Sequence, residues 1–183
     1  SLAFNVPTKN FPTGATNKIN VPLRLRAAVA GLTSEFETEA NTAELTVGTA
    51  LRITGEARYY TAEGDQLGRG PLPPQVGKET KYALLLHVSN ATAQADGVRV
   101  SATLPANIRW TGKTSVSRGQ EISYDASTRR LSWSAAQFPA QAELSAFIEV
   151  AYTPTEAERG RIVPLLQTIT VAGTDSVLNT PLQ

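Results

Sequence analysis

The 183-residue chain has no cysteine, no methionine and a single histidine, His87. Without thiols, disulfide staples, thiolate nucleophiles and cysteine-based metal sites are excluded. His87 stands between Leu86 and Val88 and lacks the second ligand or partner nucleophile that gives an imidazole a mechanism. It is read as an ordinary sheet residue on the face opposite Leu84, Leu86 and Val88. An excess of charge is lacking as well: 17 Lys+Arg against 16 Asp+Glu leave a net charge of +1. That balance removes the basic footprint a phosphate backbone requires, so nucleic acid is not an expected partner. No apolar run reaches the roughly 18 to 20 residues of a membrane-spanning helix, and Ser1 does not open a signal peptide. No catalytic residue, cofactor or metal site is expected, and the chain is not read as an enzyme.

What the sequence does contain is alternation. Ile19, Val21, Leu23, Leu25, Ala27 and Val29 recur at period two, the spacing that puts one set of side chains on a buried sheet face. This predicts one long strand, with an edge or bulge at Pro22, which has no N–H to give a ladder. Leu51, Ile53, Ala57 and Tyr59 predict another strand; Tyr82, Leu84, Leu86 and Val88 a third; Val98, Val100, Ala102 and Leu104 a fourth, closed by Pro105. Asn90 to Gly97 reads as a polar turn between those last two. Ile122 and Tyr124, a polar turn, then Leu131 and Trp133 predict a hairpin. Leu144, Ala146, Ile148, Val150 and Tyr152 form a further strand, and Val163, Leu165, Ile169 and Val171 a final long one. The only helical expectation is a short turn within Thr155 to Arg161, ended by Gly160. Many short strands with regular turn signals imply an all-β antiparallel sandwich of the immunoglobulin-like kind.

An internal repeat shapes the domain reading. Aligning Phe11-Pro12 with Phe138-Pro139 sets Leu2-Ala3-Phe4-Asn5 against Leu131-Ser132-Trp133-Ser134, and Ile19, Val21, Leu23 and Ala27 near Ala146, Ile148, Val150 and Tyr152. Residues 1–48 are then the C-terminal half of a preceding module, and residues 49–183 a complete one. A half module of about 50 residues buries too little apolar area to offset its ordering entropy. Its missing half comes from upstream sequence, from another chain, or from repacking on its neighbour. The Gly- and Pro-rich text from Tyr59 to Pro74 is read as a crossover inside the second module.

Pro73-Pro74-Gln75-Val76-Gly77-Lys78-Glu79-Thr80-Lys81-Tyr82, then His87-Val88-Ser89-Asn90, then Val98 to Pro105, resembles the conserved-repeat domain of unknown function eleven. The hairpin carrying Tyr124-Asp125 and Leu131-Ser132-Trp133 completes the likeness. The Gly68 to Pro74 run is similar to repeats in surface proteins of candidate-phylum bacteria. The resemblance covers roughly residues 50–175 and departs where the family has an Asp before its Leu-Pro, here occupied by Ala102 and Thr103. It implies an immunoglobulin-like module strung in tandem along a bacterial cell-surface protein, non-catalytic, serving as stalk, surface layer or adhesin scaffold. It also implies an extracellular location.

Some residues are weighed as ligand contacts. Trp133, Tyr124 and Tyr82 share parity with apolar neighbours and are read as core. Trp110, at a strand end, and Tyr60, outward because Tyr59 takes the inner side, are the candidate rings for a glycan. Glu63 and Asp65 complete that candidate surface, but two acids fall well short of the six to eight oxygens a calcium loop needs. The Asn90-Ala91-Thr92 sequon is given no role. Lys78 or Lys81 joined to an Asn beside a buried acid is considered as an isopeptide cross-link and set aside, because both lysines flank turn text read as exposed. Expected partners are neighbouring immunoglobulin-like modules or other chains through strand pairing, and a glycan or protein at loops on one end of the sandwich.

Overall fold

The structure is a computed structural model and describes residues 17–22, 24–27, 36–39 and 42–183. Within residues 51–183 nearly every element is a strand, as the alternation requires. A four-stranded sheet contains β5 (Leu51–Arg58), β6 (Thr80–Asn90), β11 (Glu143–Tyr152) and β8 (Ile108–Val116), in the order β5-β6-β11-β8. A five-stranded sheet contains β7 (Ala95–Thr103), β9 (Ser123–Asp125), β10 (Arg130–Phe138), β12 (Gln167–Asp175) and β13 (Pro181–Leu182), in the order β13-β12-β7-β10-β9. All of these pairings are antiparallel. The chain is an all-β sandwich.

The two sheets meet through the residues the period-two pattern assigned inward. Leu84, Leu86 and Val88 of β6 and Ala146, Ile148 and Val150 of β11 share one core with Val98 and Val100 of β7 and Leu131, Trp133 and Ala135 of β10. Each fully buried Leu or Ile stabilises the fold by roughly 1.5–3 kcal/mol. Trp133 is 4% exposed, and its indole N–H donates to the Arg118 carbonyl at 3.0 Å, the partner a buried indole requires.

Buried polar groups tie the ends of the sandwich together. Asn90 Nδ2 donates to the carbonyls of Ala93, Phe138 and Pro139 at 2.7, 2.9 and 2.9 Å, and Oδ1 accepts from Thr49 Oγ1 at 2.7 Å. One side chain thus joins the end of β6 in one sheet to the end of β10 in the other. The buried Asp175 carboxylate accepts the backbone N–H groups of Thr49, Val177 and Leu178. At the opposite end Arg129 donates to the carbonyls of Leu104, Pro105 and Ile108. These bonds do by polar contact what a cysteine-free chain cannot do by disulfide.

Several expectations are corrected. Asn90 to Gly97 is not a polar turn: Asn90 closes β6, Ala95 opens β7, and Asn90, Thr92, Ala93 and Ala95 are buried, because this link steps between sheets through the core edge. The Tyr59 to Pro74 stretch does not cross over, since β5 and β6 are hydrogen-bonded neighbours; it is a long excursion between them, folded back by the bridges Tyr60↔Gln66 and Arg69↔Lys81. The last strand begins only at Gln167. Pro164 has no N–H to pair, and Thr168, at φ 47°, breaks the register. The short turn is present as a 3-10 helix, Glu156–Glu158, followed by Gly160 at φ 71°.

Ahead of the sandwich lies a two-stranded ribbon. β1 (Lys18–Val21) pairs with β4 (Ala43–Thr46), and β2 (Arg24–Ala27) with β3 (Phe36–Glu39). The single long strand expected from Ile19 onward is divided, and the break includes Pro22. Among the described residues these strands pair only with one another. Ion pairs link them: Lys18–Glu44 at 2.7 Å, Arg26–Glu37 at 3.3 Å, and Arg24 with Glu37 and Glu39 at 3.6 Å. The Leu2 to Asn5 and Phe11-Pro12 portions of the internal repeat lie outside the described residues.

Candidate functional site

The outer face of the five-stranded sheet carries a groove. On β7 the outward residues are Arg99, Ser101 and Thr103; on β10 they are Arg130, Ser132 and Ser134. Register turns these separate alternations into one surface. Thr170 of β12 faces Ser101, Ser101 faces Ser132, and Ser132 faces Ser123 of β9. A row of hydroxyls therefore crosses four strands. Ser101 Oγ and Thr170 Oγ1 lie 2.8 Å apart and hydrogen-bond; Ser123 Oγ donates to the Ser132 carbonyl at 3.4 Å.

Arginines stand on either side of this row. Arg99 faces Ser134, and Arg130 faces Thr103. From Ser134 to Arg130 is four residues along β10, so with one strand spacing the two arginine Cα atoms are roughly 14 Å apart. Both side chains are exposed and, among the described residues, make neither an ion pair nor a side-chain hydrogen bond. Asp125, the register neighbour of Arg130, is engaged elsewhere. Its carboxylate accepts Ser127 Oγ at 2.6 Å, Thr128 Oγ1 at 2.8 Å and Ser127 N–H at 2.9 Å. Those hydrogen bonds, from Ser127 first, lower its pKa to about 2.

The wall of the groove is the turn before β9. Gly119 sits at φ 96°, where a Cβ would lie 2.3 Å from the Ser134 carbonyl oxygen; only glycine lets the turn approach β10 so closely. Gln120 is then fixed, its N–H donating to Ser134 O at 2.9 Å and its Oε1 accepting from Ser134 Oγ at 3.3 Å. Two adjoining depressions of about 410 and about 420 Å³ result, sharing Arg99, Gln120 and Ser134. Among the described residues Trp133 is the only aromatic one lining them, and its ring belongs to the core.

The four residues expected to contact a ligand are not gathered in one place. Tyr60 is 48% exposed, as its parity implied, and its ring packs edge-on against Tyr59 at 4.9 Å. Glu63 and Asp65 are exposed in the same excursion, where Thr61 N–H donates to the Asp65 carbonyl at 2.8 Å. Among the described residues no group of three or more acids or histidines is placed to hold a metal. Trp110 lies on β8, at the other edge of the four-stranded sheet, about three strand spacings or 14 Å from the β5 edge. It is half-buried, 5.1 Å from the Tyr124 ring, and its Nε1 is buried without a hydrogen-bond partner. His87 is exposed on its strand.

The sequence reading of Lys81 is overturned in one respect. It lies in β6, not in an exposed turn, and its Nζ is 3.7 Å from Glu149 Oε1. Lys113 Nζ stands 3.8 Å from the other carboxylate oxygen. β8 bulges at this point: Thr114 faces Ile148 and Trp110 faces Val150, so Thr111, Gly112 and Lys113 together oppose Glu149, with Gly112 at φ 86°. The carboxylate, its side chain 9% exposed, sits between two cations as an ion cluster.

No family model matches the chain, and no curated protein matches it. Among solved structures, one described as the crystal structure of the RrgA Jo.In complex is similar at 11% identity, over 71% of this chain and 88% of that one, with a TM-score of 0.40. Among the described residues no helix is long and apolar enough to cross a membrane.

Proposed function

We propose that the chain is a non-catalytic structural segment of a bacterial cell-surface protein, built of immunoglobulin-like modules in tandem and acting as stalk, surface layer or adhesin scaffold. The observation that carries this reading is the use made of the buried polar groups. Asn90 and Asp175 each bind backbone groups from separate segments, and Arg129 binds three carbonyls of the link between β7 and β8, so they join loops and sheets instead of facing a cavity as reactive groups do. The resemblance of Val76-Gly77, Tyr82, the Val98 to Pro105 strand and the Tyr124 to Trp133 hairpin to the surface-repeat family supports it. Residues 1–48, read as the C-terminal half of a preceding module, are the second member of that tandem arrangement.

Pulling the full chain between handles at its two ends tests the mechanical part. A scaffold module gives one cooperative rupture for the sandwich, at lower force in Asn90→Ala. Strand-by-strand unravelling at low force, unchanged by that substitution, overturns the reading. Binding through loops at one end is the second reading: Trp110 and the excursion carrying Tyr60, Glu63 and Asp65 lie at the same end of the four-stranded sheet, on opposite edges.

A further inference from the structure

We propose that the outer face of the five-stranded sheet binds an acidic polysaccharide, with Arg99 and Arg130 taking carboxylates and the Thr170-Ser101-Ser132-Ser123 row taking sugar hydroxyls. This goes beyond the scaffold reading and does not depend on it. Three features of the groove select the ligand. The first is charge. Among the described residues Arg99 and Arg130 are exposed and make neither an ion pair nor a side-chain hydrogen bond. A guanidinium presents a planar fork that matches a carboxylate in bidentate fashion. Two acids stand near them: Glu121 on the lip, and Asp125 beside Arg130, whose carboxylate is taken up by Ser127 and Thr128.

The second is the floor. Serine and threonine hydroxyls both donate and accept, and a ligand that presents many hydroxyls in succession satisfies such a row from end to end. An acidic peptide has fewer matching groups and is more readily taken along a sheet edge by main-chain pairing. The third is the lack of exposed aromatic rings in the groove. Non-specific single-stranded nucleic acid binding relies on aromatic faces on which bases stack, and the Trp133 ring is turned into the core. The separation of the arginines, roughly 14 Å by strand geometry, exceeds one sugar ring, so the ligand is an oligomer.

Affinity electrophoresis of the full chain in gels containing polygalacturonate, dextran, poly-L-glutamate or single-stranded DNA tests this. Polygalacturonate is expected to retard the protein while dextran does not, and the retardation weakens as salt rises. Arg99→Gln with Arg130→Gln weakens it tenfold or more without moving Tm, since both side chains face solvent. Ser101→Ala with Ser132→Ala weakens polygalacturonate binding but leaves any residual attraction to poly-L-glutamate unchanged. The proposal fails if polygalacturonate gives no retardation, if the arginine variant binds as well as the parent, or if poly-L-glutamate or DNA is retained as strongly as the polysaccharide.

Discussion

The two sheets of the sandwich bury the same kind of side chain inward and treat their outer faces differently. On the four-stranded sheet most outward charges meet one another: Glu149 lies between Lys81 and Lys113, and Arg58 meets Glu56 at 3.0 Å. On the five-stranded sheet the outward cations Arg99 and Arg130 make no ion pair among the described residues, and hydroxyls fill the space between them. Equal alternation thus yields one face on which most charged side chains are paired within the fold and one on which the two arginines are not. Exposed ion pairs contribute little to stability; unpaired arginines on a concave floor contribute to recognition.

The largest effect is expected where the sheets are joined. Asn90→Ala removes the donor to three backbone carbonyls and the acceptor for Thr49, leaving buried polar groups without partners. A loss of about 2–4 kcal/mol in urea unfolding is expected. A loss below about 0.5 kcal/mol would show that the two sheets cohere through their apolar core alone. Glu149→Gln separates the two outer faces next. It leaves Lys81 and Lys113 facing an uncharged amide and is expected to cost about 1 kcal/mol, whereas the Arg99 and Arg130 replacements are expected within about 0.5 kcal/mol of the parent. Equal costs on both faces would erase the contrast.

The smallest effect is read through pH. The folded-state pKa of Asp125 lies below its unfolded value, held down by Ser127 and Thr128. Its contribution is therefore present above the unfolded pKa of 3.8 and lost as pH falls through about 2. Glu158 behaves in the same direction through its bonds to Thr155. Thermal melts of parent and Asp125→Asn are expected to differ at neutral pH and to converge as pH falls from about 4 to about 2. A gap that stays constant over that range would show that Asp125 stays ionised or that its turn is unimportant to the fold.

Much of the fold is legible in single segments. Leu84, Leu86 and Val88 announce β6, and Leu131 and Trp133 announce β10, because side chains two apart on a strand share a face. Pro22 marks its break for the same local reason. Segments such as Asn90 to Gly97 were misread because polarity there reflects inter-sheet hydrogen bonding and not exposure. The groove was illegible for a related reason. Ser101, Ser132, Ser123 and Thr170 each look like ordinary solvated strand positions, whereas aromatic rings and loop acids stand out in the linear text as a ligand surface. Nothing in the linear text says that Ser101 stands opposite both Ser132 and Thr170.

By itself, the sequence determined the chemistry of this protein: no thiol, one imidazole, balanced charge, and an alternation whose apolar half must be buried against another sheet. Those are properties of residue type and spacing, which no fold can alter. Tertiary structure decided which residues stand together. Strand order and register, set by the packing of one sheet on the other, brought four hydroxyls into a row, placed Lys81 beside Glu149 and left Arg99 and Arg130 without partners.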